Sequence, residues 1–222
     1  MARVSLLQLD TDFLRVPGDV GCRDTFCEPL EIIRIPDATV DQIVTDQPSQ
    51  IDLSPFLDAI VAAEGDIIAT SCGFLAPFQS QLQAVTDRPV IASALDQLVD
   101  IADFFNVDEV GILTFDAGKL GKNHLPASAV DFANRIYGLA ANSHLRDVIS
   151  NDRRDLEIAL ATQDVQSALR PCLDQPIKAL VLECTNLPPY KAAIRQMLDV
   201  PIFDILSAIE KLAPNTIQPE FL

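Results

Sequence analysis

No apolar run in these 222 residues approaches the ~18 that a membrane-crossing helix needs. The candidates, such as 66–69 and 179–182, are only long enough for strands. Basic residues are scarce, 16 against 32 acidic ones, and the formal net charge is −16. Such a surface repels phosphate backbones, so neither nucleic acid nor membrane is an expected partner. The segment from Met1 to Ser5 runs straight into a strand-like pattern, without the apolar region and small-residue cleavage site of a secretion signal. The expected location is therefore the cytoplasm. Histidine is nearly missing: His124 and His144 are the two present, far apart in sequence. The five cysteines, Cys22, Cys27, Cys72, Cys172 and Cys184, are odd in number and do not read as a disulfide framework. Cys22 and Cys27 could be half of a zinc site, but no second close pair completes it, and no metal is expected.

What is present is a core and a repeat. Hydrophobic residues make up 49% of the chain, enough for one large domain or two small ones. The run Asp66-Ile-Ile-Ala-Thr-Ser-Cys72-Gly-Phe-Leu-Ala-Pro-Phe78 aligns with Lys178-Ala-Leu-Val-Leu-Glu-Cys184-Thr-Asn-Leu-Pro-Pro-Tyr190. With the cysteines superposed, Leu75 meets Leu187, Pro77 meets Pro189, and, with no gap, Asp87 meets Asp199 and Pro89 meets Pro201. Upstream, the stretch from Val4 to Asp10 resembles that from Val110 to Asp116, and Leu14 falls on Leu120. Two copies of one plan begin near residues 3 and 109.

Each copy reads as α/β. Val4–Leu9 and Glu109–Phe115 are short strands, and Ile67–Thr70 and Ala179–Glu183 are continuous apolar runs, as in parallel strands buried on both faces. Ser54-Pro55 reads as a helix start with Ser54 as cap, followed by Phe56, Leu57, Ile60 and Val61 at helical spacing. A second helix is expected over Asp152–Leu169, ended by Pro171. Strands alternating with helices give parallel sheets covered on both sides. The expected division is a first half of residues 1–95 plus 205–222 and a second of 96–204, related by a pseudo-twofold axis, with a ligand cleft between them. The Asp-, Gly-, Pro- and Arg-rich loop Asp10–Cys27 follows the first strand and belongs at the carboxyl edge of its sheet, where open α/β folds bind ligands. The polar stretch Pro36–Gln50 is expected to be an irregular surface segment or flap.

Cys72 and Cys184 each end an apolar strand just before an apparent helix. A helix N-terminus lowers a thiol's pKa, and the free N–H groups of Gly73-Phe74 and Thr185-Asn186 can bind a carboxylate. Two thiols facing one cleft could take a proton from one face of a carbon and return one to the other. Cys22, Cys27 and Cys172 read instead as space-filling thiols, and the two histidines as packing or surface residues.

Thr70-Ser-Cys72-Gly-Phe-Leu and Glu183-Cys184-Thr-Asn-Leu-Pro-Pro-Tyr resemble the two cysteine motifs of the aspartate/glutamate/hydantoin racemase superfamily. Arg15-Val-Pro-Gly-Asp19-Val-Gly21, Leu113-Thr-Phe-Asp116 and His124-Leu-Pro-Ala127 resemble one branch of it. The resemblance implies two Rossmann-like halves, a C-terminal helix that crosses back onto the first half, and no pyridoxal phosphate, metal or other cofactor. It implies an isomerase: a racemase or epimerase of amino acids or hydantoin-type derivatives, with Cys72 and Cys184 as acid and base. Ser71, Gly73, Phe74, Thr185 and Asn186 match positions around the substrate carboxylate, and Thr114 a position that often contributes. Arg15 and Asp19 are candidates for substrate selection, although Arg15 also reads as a solvated charge and Asp19 as part of the Pro-Gly turn. Two features depart from the pattern. Cys22-Arg-Asp-Thr-Phe-Cys27 is unlike the branch, and Glu183 stands where a small residue is common and could modulate the neighbouring thiol. A same-fold decarboxylase or cis–trans isomerase, and a non-catalytic binder of small carboxylates, are the competing readings. A symmetric dimer is the commonest assembly for such a chain.

Overall fold

The computed structural model describes residues 2–222. β1 (Val4–Gln8), β2 (Glu31–Arg34), β3 (Ile67–Thr70) and β4 (Val90–Ile91) form a parallel sheet in the order β2-β1-β3-β4. β5 (Val110–Thr114), β6 (Ile136–Gly138), β7 (Ala179–Leu182) and β8 (Ile202–Phe203) repeat that order as β6-β5-β7-β8. The register repeats as well: Leu7 lies beside Thr70 in the first sheet, and Leu113 beside Leu182 in the second. The fold is α/β in two like halves, as the duplicated sequence required. β3, β5 and β7 are buried at every position, which is why their sequences are unbroken apolar runs rather than alternating ones. No helix among the described residues is long and apolar enough to cross a membrane.

One apolar core runs through both halves and includes Leu7, Phe13, Phe74, Leu113, Phe115 and Leu182. A second, smaller core joins Val4, Leu6, Ile67 and Ala69 of the first sheet to Ile205, Leu206 and Ile209. The helix Ile205–Leu212 thus packs on β3 and β4 of the first half. It starts sharply because the Asp204 carboxylate accepts the Ser207 N–H at 2.8 Å while the Ser207 hydroxyl accepts the Asp204 N–H at 2.9 Å.

Several local expectations need correction. The helix Ser54–Ala62 has Leu53 at its cap position, without a side-chain cap bond, and Ser54 is its first residue rather than its cap; Asp52 Oδ1, one residue before the cap, accepts the Ser54 N–H at 2.9 Å. Its inner face is Phe56, Ala59 and Ile60, and Val61 points to solvent. The helix expected over Asp152–Leu169 begins only at Ile158. Asp152 sits at φ 49°, and its carboxylate turns away to receive the N–H groups of Asp12 and Phe13 in the other half. Pro171 does not stop the chain's helical path: it opens a further turn, Pro171–Asp174, directly after Arg170. The segment Pro36–Gln50 contains two short helical turns, Val40–Ile43 and Pro48–Gln50, and buries Ala38, Val40, Ile43 and Val44, so it is a covering element rather than a solvated stretch.

Candidate active site

A small hollow of about 30 Å³ opens where the carboxyl ends of β1, β3, β5 and β7 meet. Ser71, Cys72, Gly73 and Phe74 enter it from the turn after β3, and Glu183, Cys184, Thr185 and Asn186 from the matching turn after β7. The two cysteine turns touch: the Thr185 hydroxyl donates to the Ser71 carbonyl at 2.7 Å, and the Ser71 hydroxyl accepts the Leu9 N–H at 3.0 Å. Both thiols, each 8% exposed, therefore face one hollow from two halves of the molecule. The Cys184 thiol donates to Asn186 Oδ1 at 3.6 Å.

The loop after β1 supplies Thr11, Phe13 and Arg15. Arg15 is not a solvated loop charge. Its guanidinium donates to Asp19 at 3.0 Å and to the Thr11 hydroxyl at 3.1 Å, and it stacks over the Phe13 ring 4.3 Å away. Asp19 does not line this cavity. It is a buried hub that also receives the Asn186 amide at 2.6 Å and the Gly21 N–H at 2.7 Å, so it both shapes its turn and holds two cavity residues in place. The turn sits tightly on the other half: Gly18 has φ +96°, and a side chain there would meet the Pro189 backbone at 2.9 Å.

Thr114 is also displaced from its expected role. It is the last residue of β5, fully buried, and its hydroxyl donates to Glu183 instead of facing the cavity. His124 and His144 lie outside the cavity. His124 Nδ1 accepts the Gly121 N–H at 3.2 Å, which leaves Nε2 to donate to the Thr45 carbonyl at 2.9 Å and so anchor the covering segment. His144 accepts the Glu157 N–H at 2.8 Å. Cys22, Cys27 and Cys172 do not line the cavity either.

The electrostatics reverse one expectation. Hydrogen bonds from the Phe74 and Asn186 backbones do favour the thiolates, as a free-amide turn should, but burial outweighs them. Burial, reinforced by the Glu183 charge, pushes the Cys72 thiol up to about 12, with Arg15 pulling the other way. Cys184 is pushed well above the usual thiol range by burial and Glu183, and Asp19 adds to the effect. The turn after Cys184 is irregular as far as Pro188–Tyr190, so no helix dipole is aimed at this thiol. Glu183 itself is raised to about 7 by burial, against hydrogen bonds from Thr114 and the Phe115 backbone.

The sequence pattern did not mark Thr11, Phe13, Leu9, Phe115, Val40, Val44 and Ile149 as lining residues. Leu9 and Phe115 were findable, since the Val4–Asp10 repeat superposes them. The valines were not, because their inward packing depends on where the covering segment folds.

Two parallel sheets of one winding, with a cysteine from each at a shared cleft, define an α/β class of two-halved proteins with a hollow between the halves. Residues 28–213 match the family model for Asp/Glu/Hydantoin racemase, and the chain belongs to that family. It is 27% identical over 217 residues to a dimethylsulfoniopropionate lyase of Durusdinium sp. clade D, covering 92% of this chain and 72% of that protein. It is 26% identical over 225 residues to dimethylsulfoniopropionate lyase 6 of Emiliania huxleyi (strain CCMP1516), covering 94% of this chain but only 58% of the relative. Among solved structures, a glutamate racemase isoform from Bacillus anthracis superposes with a TM-score of 0.58 at 16% identity, over 98% of this chain and 84% of that one. Unliganded arylmalonate decarboxylase gives 0.57 at 13% identity, over 99% and 96%. These superpositions carry the fold.

Proposed function

We propose that this chain is a cofactor-independent enzyme acting on the carbon next to a small carboxylate, with Cys72 as its base and Cys184 completing the site from the other half, and that the reaction is elimination from a carboxylate with a sulfonium group on its β carbon, such as dimethylsulfoniopropionate. The observation that carries the reading is the opening of both thiols, from separate halves, onto one small cavity. Cys72 is the better base, because Arg15 favours its thiolate while Asp19 disfavours that of Cys184. The Cys72 thiolate takes the α proton. The C–H electrons become the double bond of acrylate, and the β carbon–sulfur bond breaks with its electrons leaving on neutral dimethyl sulfide. Charge gathering on the substrate carboxylate is met by the N–H groups of Gly73-Phe74 and Thr185-Asn186, with Ser71 behind them. Phe13, Phe74 and Phe115 wall the cavity; Arg15 stacks over Phe13 and Arg146 over Phe115, and the ring surface they leave uncovered suits a cation that cannot donate hydrogen bonds.

An amino-acid racemase is the second reading, favoured by the matched cysteines. It needs an acid for the substrate ammonium, and neither acid near the cavity is well placed for it: Asp19 is paired with Arg15 and Asn186, and Glu183 gives one oxygen to Thr114 and keeps the other buried under the opposite cysteine turn. One experiment separates the readings. Incubation with dimethylsulfoniopropionate in deuterium oxide should release dimethyl sulfide and acrylate. Cys72→Ser should lower the rate by about 10²-fold or more, and Cys184→Ser by less. If D- and L-amino acids or hydantoins exchange their α proton instead, with both cysteines indispensable, the racemase reading takes its place. If neither occurs, both fail and a carboxylate-binding protein remains.

A further inference from the structure

The strand that delivers Cys184 also delivers Glu183, a carboxyl only 1% exposed. One oxygen accepts the Thr114 hydroxyl, and the other, Oε1, is buried with no hydrogen-bond partner. It is wedged beneath the opposite cysteine turn: a side chain on Gly73 would come within 2.3 Å of both Glu183 Oε1 and the Glu183 carbonyl. Glu183 thus sits next in sequence to one thiol and packs under the turn that carries the other. Its surroundings are almost without countercharge. From β5 it meets only the Thr114 hydroxyl and the Phe115 N–H, and from the two turns only thiols, while Arg15 and Asp19 of the loop after β1 face Cys72 and Cys184 respectively. A carboxylate here and a thiolate on either cysteine would be two buried negative charges without a cation between them.

We infer that Glu183 is a positioning residue held as the neutral acid in the working enzyme, and that its ionisation suppresses thiolate formation at both cysteines and switches the site off. The inference rests on the two-thiol reading above and adds to it a carboxyl buried at the edge of the cavity, 1% exposed, that acts through the thiols. Its raised pKa, about 7, places the switch close to neutrality. Below that point Glu183 is neutral and a thiolate faces no buried neighbour of like charge. Above it each thiol is harder to ionise, so activity gains an alkaline limb near neutrality, far below the pH at which either cysteine itself titrates.

The test reads the thiols themselves, without substrate. Alkylation rates of Cys72 and Cys184 with iodoacetamide, resolved by mass spectrometry, are compared at fixed pH values from about pH 5 to about pH 10, on the rising limb below the thiol midpoints, in the wild type and in Glu183→Gln, and the midpoint shift is read from the ratio of rates above the Glu183 titration. The Gln variant, permanently neutral and of the same shape, should move the alkylation midpoint of both cysteines to lower pH. A midpoint lower by about one pH unit would appear as about tenfold faster labelling at a fixed pH below it. With a substrate in hand, its alkaline limb should disappear. Unchanged midpoints would leave Glu183 a mere space-filler and overturn the inference. If the variant does not fold, the protonated-carboxyl stretch of otherwise native protein answers instead, by infrared difference spectroscopy in an Asp96→Asn background, because burial raises Asp96 to about 7 as well. A band that persists to near neutrality and then bleaches supports the inference, and a Glu183 ionised throughout refutes it. Shifted midpoints in a protein that turns over nothing would sink the proposed reaction and leave this coupling standing.

Discussion

Gly73 and Glu183 occupy one another's space. Glu183 follows β7 directly, its N–H is tied to the Leu113 carbonyl at 2.9 Å and its carboxyl is held by Thr114, so the missing side chain at position 73 is what lets the two cysteine turns approach. This argues for a specific cost. Gly73→Ala should destabilise the protein by about 1–3 kcal/mol, as overpacking does in a filled core, and lower Tm by roughly 2–4 °C per kcal/mol for a chain of this size. Calorimetry measures the first effect. The second is chemical: the added methyl must push Cys72 away from Cys184, so turnover should fall further than the loss of stability explains, while the far-ultraviolet circular dichroism stays native. A Gly73→Ala variant with native Tm and rate would mean that the turns have slack and that the close approach is unimportant. Arg15 and Asp19 make the complementary point. Their neighbourhood in sequence shows only a turn, and it is the fold that turns a loop cation and a turn-former into a buried pair holding Asn186 beside Cys184.

At the scale of elements, the legible parts were those buried on both faces. β3 spans Ile67–Thr70 as the apolar run predicts, and β1, β5 and β7 each end a single residue short at their carboxyl ends, with β5 also starting one residue late. β2 and β6 went unseen, because edge strands of four and three residues with half-buried side chains leave neither an apolar run nor a clean alternation. The misplaced start of the Ile158–Leu169 helix has a similar cause: Ile158 and Leu160 kept the apolar count high but point outward, and the buried face is Ala161, Val165 and Leu169. A tertiary tie was also invisible. Lys191 Nζ lies 2.8 Å from Asp204 Oδ2, with the two side chains only 5% and 0% exposed, and it joins the helical turn after the second cysteine motif to the cap of the C-terminal helix. Removing one partner strands the other charge in the core. Lys191→Met should therefore cost about 3–5 kcal/mol, read from chemical denaturation, and should loosen the Ile205–Leu212 helix first, seen as faster amide exchange there. A variant of wild-type stability, exchanging no faster over that helix, would show that water reaches Asp204.

For the whole molecule the governing quantity is the charge of −16 set against the carboxylate substrate proposed for the site. The repeat made the paired sheets and paired cysteines readable from sequence, but the composition alone left open how an anion is drawn in. On the proposed reading the local attraction comes from Arg15 and the amides of the two cysteine turns, while globally the field opposes any net anion. The two candidate reactions differ here, because dimethylsulfoniopropionate carries a carboxylate and a sulfonium and is neutral overall, whereas glutamate and aspartate are net anions at neutral pH. The Debye length shrinks from about 30 Å at 0.01 M salt to about 8 Å at 0.15 M, so added salt hides the distant surface charge and leaves Arg15, at contact range, largely unscreened. For an anionic substrate kcat/KM should rise severalfold over that range, and for the zwitterion it should stay nearly flat, with kcat unchanged in both cases. Stopped assays across a potassium chloride series measure this directly. A steep rise with the zwitterion would mean that the carboxylate end is sensed alone at the cavity mouth, and that the aromatic wall meets the sulfonium only after the encounter is over.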